Sequence, residues 1–108
     1  MQFVAKALYI RISPYKLRPI ADAVRGKSVL YSLDWLATYN NRRVSPVQKL
    51  IESAIANAKD RGNVGPEQLK VKELRIDQGP IHKYFKPGAM GRANVQRKRL
   101  SHLSVVLE

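Results

Sequence analysis

The chain has 108 residues, enough for one small domain, and its 20 Lys and Arg against 8 Asp and Glu leave a net charge of +12. That excess points to a polyanionic partner, nucleic acid ahead of an anionic membrane surface. A hydrophobic content of 44% argues against a wholly disordered basic tail, and the absence of cysteine excludes disulfides, zinc ribbons and thiol catalysis.

No run approaches the ~18 uncharged apolar residues that a bilayer span needs. The opening MQFVAKALYI is too short and too poorly flanked for a signal peptide. A single soluble, strongly basic domain over residues 1–108 is therefore expected.

Residues 2–12 are rich in β-formers and alternate loosely, which predicts a strand. Phe3, Ala5, Ala7 and Tyr9 fall on one face, and Val4, Leu8 and Ile10 on the other. Ser13-Pro14 then reads as an N-cap with proline at the first helical position. Leu17, Ile20, Ala21 and Val24 follow at helical spacing, and Gly26 supplies the stop. Pro19 is awkward inside this helix, because it removes a backbone hydrogen bond and crowds the preceding turn. Either the helix is bent or its regular part begins near Arg18, and the late start is favoured.

Ser28 is the predicted cap of a second helix, with Val29, Leu33, Leu36 and Ala37 facing inward and Asn40-Asn41 at its end. Ser45-Pro46-Val47-Gln48 reads as a capping box opening a third. Val47, Leu50, Ile51, Ala54, Ile55 and Ala58 form its apolar stripe up to Gly62, best explained by core packing. After the turn at residues 62–66, Leu69 and Val71 alternate in one phase and Leu74 and Ile76 in the other, which predicts a β-bulge. Leu100 to Leu107 is a last strand. Helices in the first half with strands at the ends favour an α+β fold: three helices packed on a small, mainly antiparallel sheet.

Between the two late strands, residues 79–92 are basic, hold two prolines and three glycines, and carry too few apolar residues for a core of their own. Composition alone permits a disordered loop. The flanking strands instead suggest one long protruding β-hairpin, with residues 79–96 as its arm and tip. A dozen residues of strand extend roughly 40 Å, against a radius of gyration of about 13 Å for a compact domain this size. A lone two-stranded ribbon is marginal in water, so a polyanionic groove is expected to order it. Lys83, Lys86, Arg92, Arg97, Lys98 and Arg99 lie in or beside it, with no acidic residue from Ile81 to Leu107. Tyr84 and Phe85 are candidates to stack on unpaired bases.

Four runs carry a family resemblance: Tyr9 to Gly26 (YIRISPYKLRPIADAVRG), Leu50 to Lys59 (LIESAIANAK), Leu69 to Pro80 (LKVKELRIDQGP) and Ala89 to Leu103 (AMGRANVQRKRLSHL). Spread over nearly the full length in family order, they resemble large-subunit ribosomal protein twenty-two of bacterial or organellar type. The combination of SAIANA, the DxGP turn, and GRA followed by a basic run and SH is highly specific. The resemblance implies a globule on the outer surface of the large subunit near the peptide exit, in the bacterial cytoplasm or an organelle.

It also implies a hairpin reaching through ribosomal RNA to line the nascent-peptide tunnel. On that model Lys83, Lys86, Arg92, Arg97, Lys98 and Arg99 bind phosphates. Lys86, Pro87, Gly88, Ala89, Met90, Gly91 and Arg92 form the tip beside the nascent chain, near where macrolides bind. Lys16, Arg18 and Arg25 match the family pattern as further RNA contacts, with an ordinary solvated helix face as the alternative. The chain departs from the family at Pro19, where an aliphatic residue is usual. It also departs at Tyr84 and Gly88, where arginines are expected, which bears on phosphate contacts near the tip. Expected partners are the RNA, neighbouring large-subunit proteins and the nascent peptide, without a membrane span or a homo-oligomer.

Catalysis has little support. His82 and His102 lack a nearby carboxylate in sequence, and Gly88-Ala89-Met90-Gly91 lacks the Lys and Ser/Thr that complete a P-loop. No metal or other cofactor is expected, since cysteines and clustered carboxylates are both missing. His82 is expected to meet RNA or solvent, and His102 to hydrogen-bond within the sheet. Met90 suits a small tip beside an open passage, or a plain gap-filler. The alternative function is a free-standing nucleic-acid architectural or RNA-chaperone protein, its basic arm wrapping a minor groove.

Overall fold

The computed structural model describes residues 2–108, except for the side chains of Tyr84, Lys86, Asn94, Val95 and Gln96. Strand β1 (Phe3–Ile10) leads into helices α1 (Pro14–Val24), α2 (Val29–Thr38) and α3 (Val44–Gly62). A short 3-10 turn at Pro66–Gln68 precedes β2 (Val71–Pro87), and β3 (Ala93–Leu107) returns beside it. The sheet order is β1-β3-β2, antiparallel throughout, so the α+β expectation holds.

The helices cover one face of the sheet. Phe3, Ala5, Val71, Leu74, Ile76, Leu103, Val105 and Leu107 meet Leu17, Ile20, Val24, Leu36, Val47, Leu50, Ile51 and Ala54 in one apolar cluster. From Ser101 the residues of β3 alternate between buried and half-buried up to Leu107, as a sheet with one core face requires. The phase slip between Val71 and Leu74 is the expected bulge: Val71 pairs with Leu107, while Glu73 pairs with Val106. Gly26 ends the first helical segment at φ +80°, where a side chain is disfavoured.

Several local expectations are corrected. Helix α1 starts at Pro14, not near Arg18, and carries Pro19 inside it. Pro19 lies on the exposed face, so the carbonyl it leaves unbonded can face water. Buried Pro14, Leu17 and Ile20 hold the first turns to the core. Ser13 occupies the N-cap position without a side-chain cap bond, whereas the Ser28 hydroxyl does accept from the Tyr31 N–H at 3.2 Å.

Helix α3 begins at Val44 rather than behind a Ser45 cap. Asn41 organises the entry: its side-chain oxygen accepts from the Arg43 N–H at 3.0 Å, and its carbonyl from the Val44 N–H at 3.2 Å. Pro46 then falls in the first turn, where its missing N–H costs nothing. The left-handed residue closing the helix is Asn63, while Gly62 makes room for the Phe3 ring. In β1, Tyr9 turns outward at φ +58°, and Ile10 packs against the core instead. The register shift between Ala7 and Ile10 explains both.

Beyond Ile76 and before Leu100 the core ends. No described side chain from Asp77 to Arg99 is buried, yet β2 and β3 stay paired out to Pro87 and Ala93. The 17 residues of β2 correspond to about 56 Å of strand. The molecule measures 62 × 26 × 17 Å, with a radius of gyration of 16.9 Å. The hairpin therefore projects well clear of the helices.

Candidate nucleic-acid interface

The arm is built from two bent strands. A second register shift between Gln78 and Ile81 marks where it leaves the globule. Gly79 sits at that shift, and a Cβ there would stand 3.1 Å from the Leu100 carbonyl oxygen and 3.3 Å from the His102 ring. The close approach of the two strands thus favours a residue without a side chain, since a Cβ would press on the β3 backbone by a few tenths of an ångström. Across the sheet, Ser101 is fully buried and its hydroxyl donates to the Ile12 carbonyl, tying the base of β3 to the segment before α1. His102 accepts the Tyr9 N–H through Nδ1 at 3.1 Å, the in-sheet hydrogen bond expected of it. His82 is exposed on the arm.

Charge on the arm is unbalanced. Lys83 lies opposite Arg97. Like charges directly across a strand pair destabilise the ladder unless an anion intervenes. The ion pairs among described residues are Arg25–Asp22, Lys72–Glu108 and Arg75–Asp77, all outside the arm. Lys83, Arg92, Arg97, Lys98 and Arg99 take part in none of them. The side chains of Tyr84 and Lys86 lie outside the described residues, while Phe85 is exposed.

At the tip, Gly88 donates its N–H to the Arg92 carbonyl, and Met90 and Gly91 follow each other at φ +57° and +78°. Met90 is fully exposed, so within this chain it fills no gap. Pro87, Ala89 and Arg92 are exposed around it, and Gly88 is half-buried.

Where the arm joins the globule, an open cleft of about 360 Å³ is lined by Arg11, Lys16, Arg43, Arg97, Lys98 and Arg99, together with Ile12 and Ser13. No carboxylate lines it. Four stretches of chain supply its cations, and Lys16, Arg97, Lys98 and Arg99 are sequence-predicted residues. Arg11 and Arg43 were not singled out. Arg11 precedes α1 and Arg43 follows Arg42 just before α3, and only the fold places them next to residues 97–99.

Arg18 and Arg25 do not line the cleft. Arg18 donates through Nη2 to the Ile76 carbonyl at 3.4 Å. Arg25 donates through Nε and Nη2 to the Leu74 carbonyl, at 3.1 and 2.7 Å, and its Nη1 meets Asp22. Both side chains brace α1 on β2. Among the described residues no group of three or more His, Asp or Glu gathers as a metal site, and no helix is long and apolar enough to cross a membrane.

A compact α+β globule bearing a long basic hairpin, with no acidic residue from Ile81 to Leu107 and a cationic cleft at its root, has the charge distribution of a scaffold built to meet a polyanion. Residues 5–108 match the model of the family described as ribosomal protein L22p/L17e, and the chain belongs to that family. Among similar curated proteins is the large ribosomal subunit protein uL22 of Syntrophomonas wolfei, 44% identical over 99% of this chain and 95% of its own length. The protein of that name from Desulfitobacterium hafniense is 44% identical over 98% of this chain and 93% of its own. That of Bdellovibrio bacteriovorus is also 44% identical, over 100% of this chain and 98% of its own. The family is one of ribosomal proteins rather than enzymes.

Proposed function

We propose that the protein is a structural constituent of the large ribosomal subunit and binds large-subunit ribosomal RNA through its arm and the cleft at the arm's root. The observation that carries this reading is the hairpin itself: two strands leave the core, set Lys83 opposite Arg97, and carry no acidic residue from Ile81 to Leu107 to balance their cations. Such a ribbon is poorly stable alone and becomes favourable when phosphates lie between and beside its charges. Lys83, Lys86, Arg92, Arg97, Lys98 and Arg99 are the proposed phosphate contacts along the stem, with Tyr84 available for stacking. Lys16 and Arg18 extend the surface onto α1. Arg25, whose guanidinium is engaged with Leu74 and Asp22, contributes first by holding α1 in place.

The family membership and the 62 Å length support a finer placement. The globule rests on the outer surface of the subunit near the peptide exit, and the arm passes through RNA. The tip, Lys86 to Arg92, lines the tunnel beside the nascent chain and close to where macrolides bind. Neighbouring large-subunit proteins are further partners, and the ribosome is where the chain resides.

Binding to deproteinised large-subunit ribosomal RNA, measured across a salt series, tests the RNA contacts. With six to ten phosphate contacts, affinity is expected to fall roughly 10³- to 10⁵-fold between 50 and 200 mM salt. Binding that is flat across that range would count against the arm and cleft as a phosphate surface.

A further inference from the structure

Tyr15 lies on the first turn of α1 with 63% of its surface exposed, although it belongs to neither the apolar core nor the charge pattern. Its ring gathers two arginines from different elements. The Arg18 guanidinium carbon stands 5.3 Å from the ring centroid, and that of Arg99 stands 5.9 Å from it. Arg18 is itself fastened to the Ile76 carbonyl of β2. Arg99 closes the Arg97–Arg99 run of β3 and lines the cationic cleft. One ring therefore connects α1, β2 and β3 at the point where the arm leaves the globule.

Charges of one sign that converge around a cleft repel each other, and no carboxylate among the lining residues offsets them. An aromatic face supplies the missing attraction. Its negative quadrupole draws guanidinium groups without neutralising them, so the cations stay available to an anion. A salt bridge at the same place would consume the charge that the phosphates need.

We infer that Tyr15 is a positioning residue for the RNA site: by holding Arg99 against a ring that Arg18 also meets, it presets the root of the arm, and with it the cleft that takes a phosphate-bearing turn of RNA backbone. The inference rests on the RNA-binding reading proposed above. It also assigns the exposed ring a task other than stacking on a base.

The test is a double-mutant cycle on binding to deproteinised large-subunit ribosomal RNA at fixed salt, using the full chain. Tyr15→Leu is expected to weaken binding about fivefold, in keeping with two exposed cation–π contacts. Tyr15→Phe, which keeps the ring, is expected to bind as the unaltered protein does. In an Arg99→Leu background, Tyr15→Leu is expected to cost little more. The salt slope of Tyr15→Leu stays unchanged, because no phosphate-binding charge is removed. The thermal midpoint of the exposed-site variants is the control for folding.

Additive losses in the cycle, or an equal loss in Tyr15→Phe, would overturn the positioning role while leaving RNA binding intact. Absence of salt-dependent binding by the unaltered protein would instead remove the RNA reading and this inference with it. Should Tyr15→Leu fail to fold, Tyr15→Gln takes its place in the same cycle: coupling with Arg99→Leu supports the role, and additive losses contradict it.

Discussion

Arg25 directs Nε and Nη2 at the Leu74 carbonyl, while Arg97 stands on an exposed strand facing Lys83. The same charge serves two purposes, decided by whether a fixed acceptor lies within reach. Arg25→Ala is expected to lower unfolding free energy by about 1 kcal/mol, since its bonds are charge-assisted but partly solvated. RNA affinity of the folded variant should change little. Arg97→Ala is expected to do the reverse, leaving denaturant stability equal or slightly higher and reducing the salt slope of RNA binding by about one. Urea titration and RNA binding on both variants check the pair; equal effects in both assays would contradict the division. The charges themselves were plain in the sequence. Which of them converge was not: Arg11 and Arg43 reach the cleft only because β1 and the start of α3 fold against the root of β3.

Helix α1 shows where local rules and tertiary packing part company. A proline six residues into a helix predicts a break, and the structure keeps the helix because buried Pro14, Leu17 and Ile20 secure both sides of it. Pro19 remains a local cost. Pro19→Ala restores an N–H that can bond to the Tyr15 carbonyl, and is expected to raise stability by about 1–3 kcal/mol, read as a higher urea midpoint with unchanged slope. A lower midpoint would show that Pro19 has a packing role on the exposed face. The bulge after Val71 and the long hairpin were legible from alternation and its single phase slip. The outward turn of Tyr9 was not, because it follows from a register shift against β3 and the hydrogen bond to His102. The entry to α3 was missed for a similar reason: Asn41 forms the turn three residues before the helix, outside the capping box that the pattern suggested.

The arm is the element that differs most from the rest in what supports it. Its root is continuous with a packed sheet, whereas the outer stem has no helix over it and no buried side chain among those described. Amide exchange is expected to be slow in Leu74, Ile76 and Leu103 to Leu107, and fast from His82 to Val95 without RNA, falling when RNA is added. Strong protection of residues 82–95 in the free protein would show that the ribbon is stable by itself and needs no polyanion to order it.

For the whole molecule, the globule and the tip are separable. The fold and, Lys86 apart, the stem charge are set by residues that remain when residues 86–91 are deleted, so the shortened chain is expected to enter large subunits. Its effect should appear as altered macrolide sensitivity or nascent-chain passage; loss of assembly would place essential docking contacts at the tip. The most direct measurement of the central claim is sucrose-gradient fractionation of a cell lysate in moderate salt, with each fraction probed for this chain. Co-migration with large subunits is the predicted result. Migration with free protein or with DNA would contradict it and favour an architectural nucleic-acid protein that uses the same basic arm.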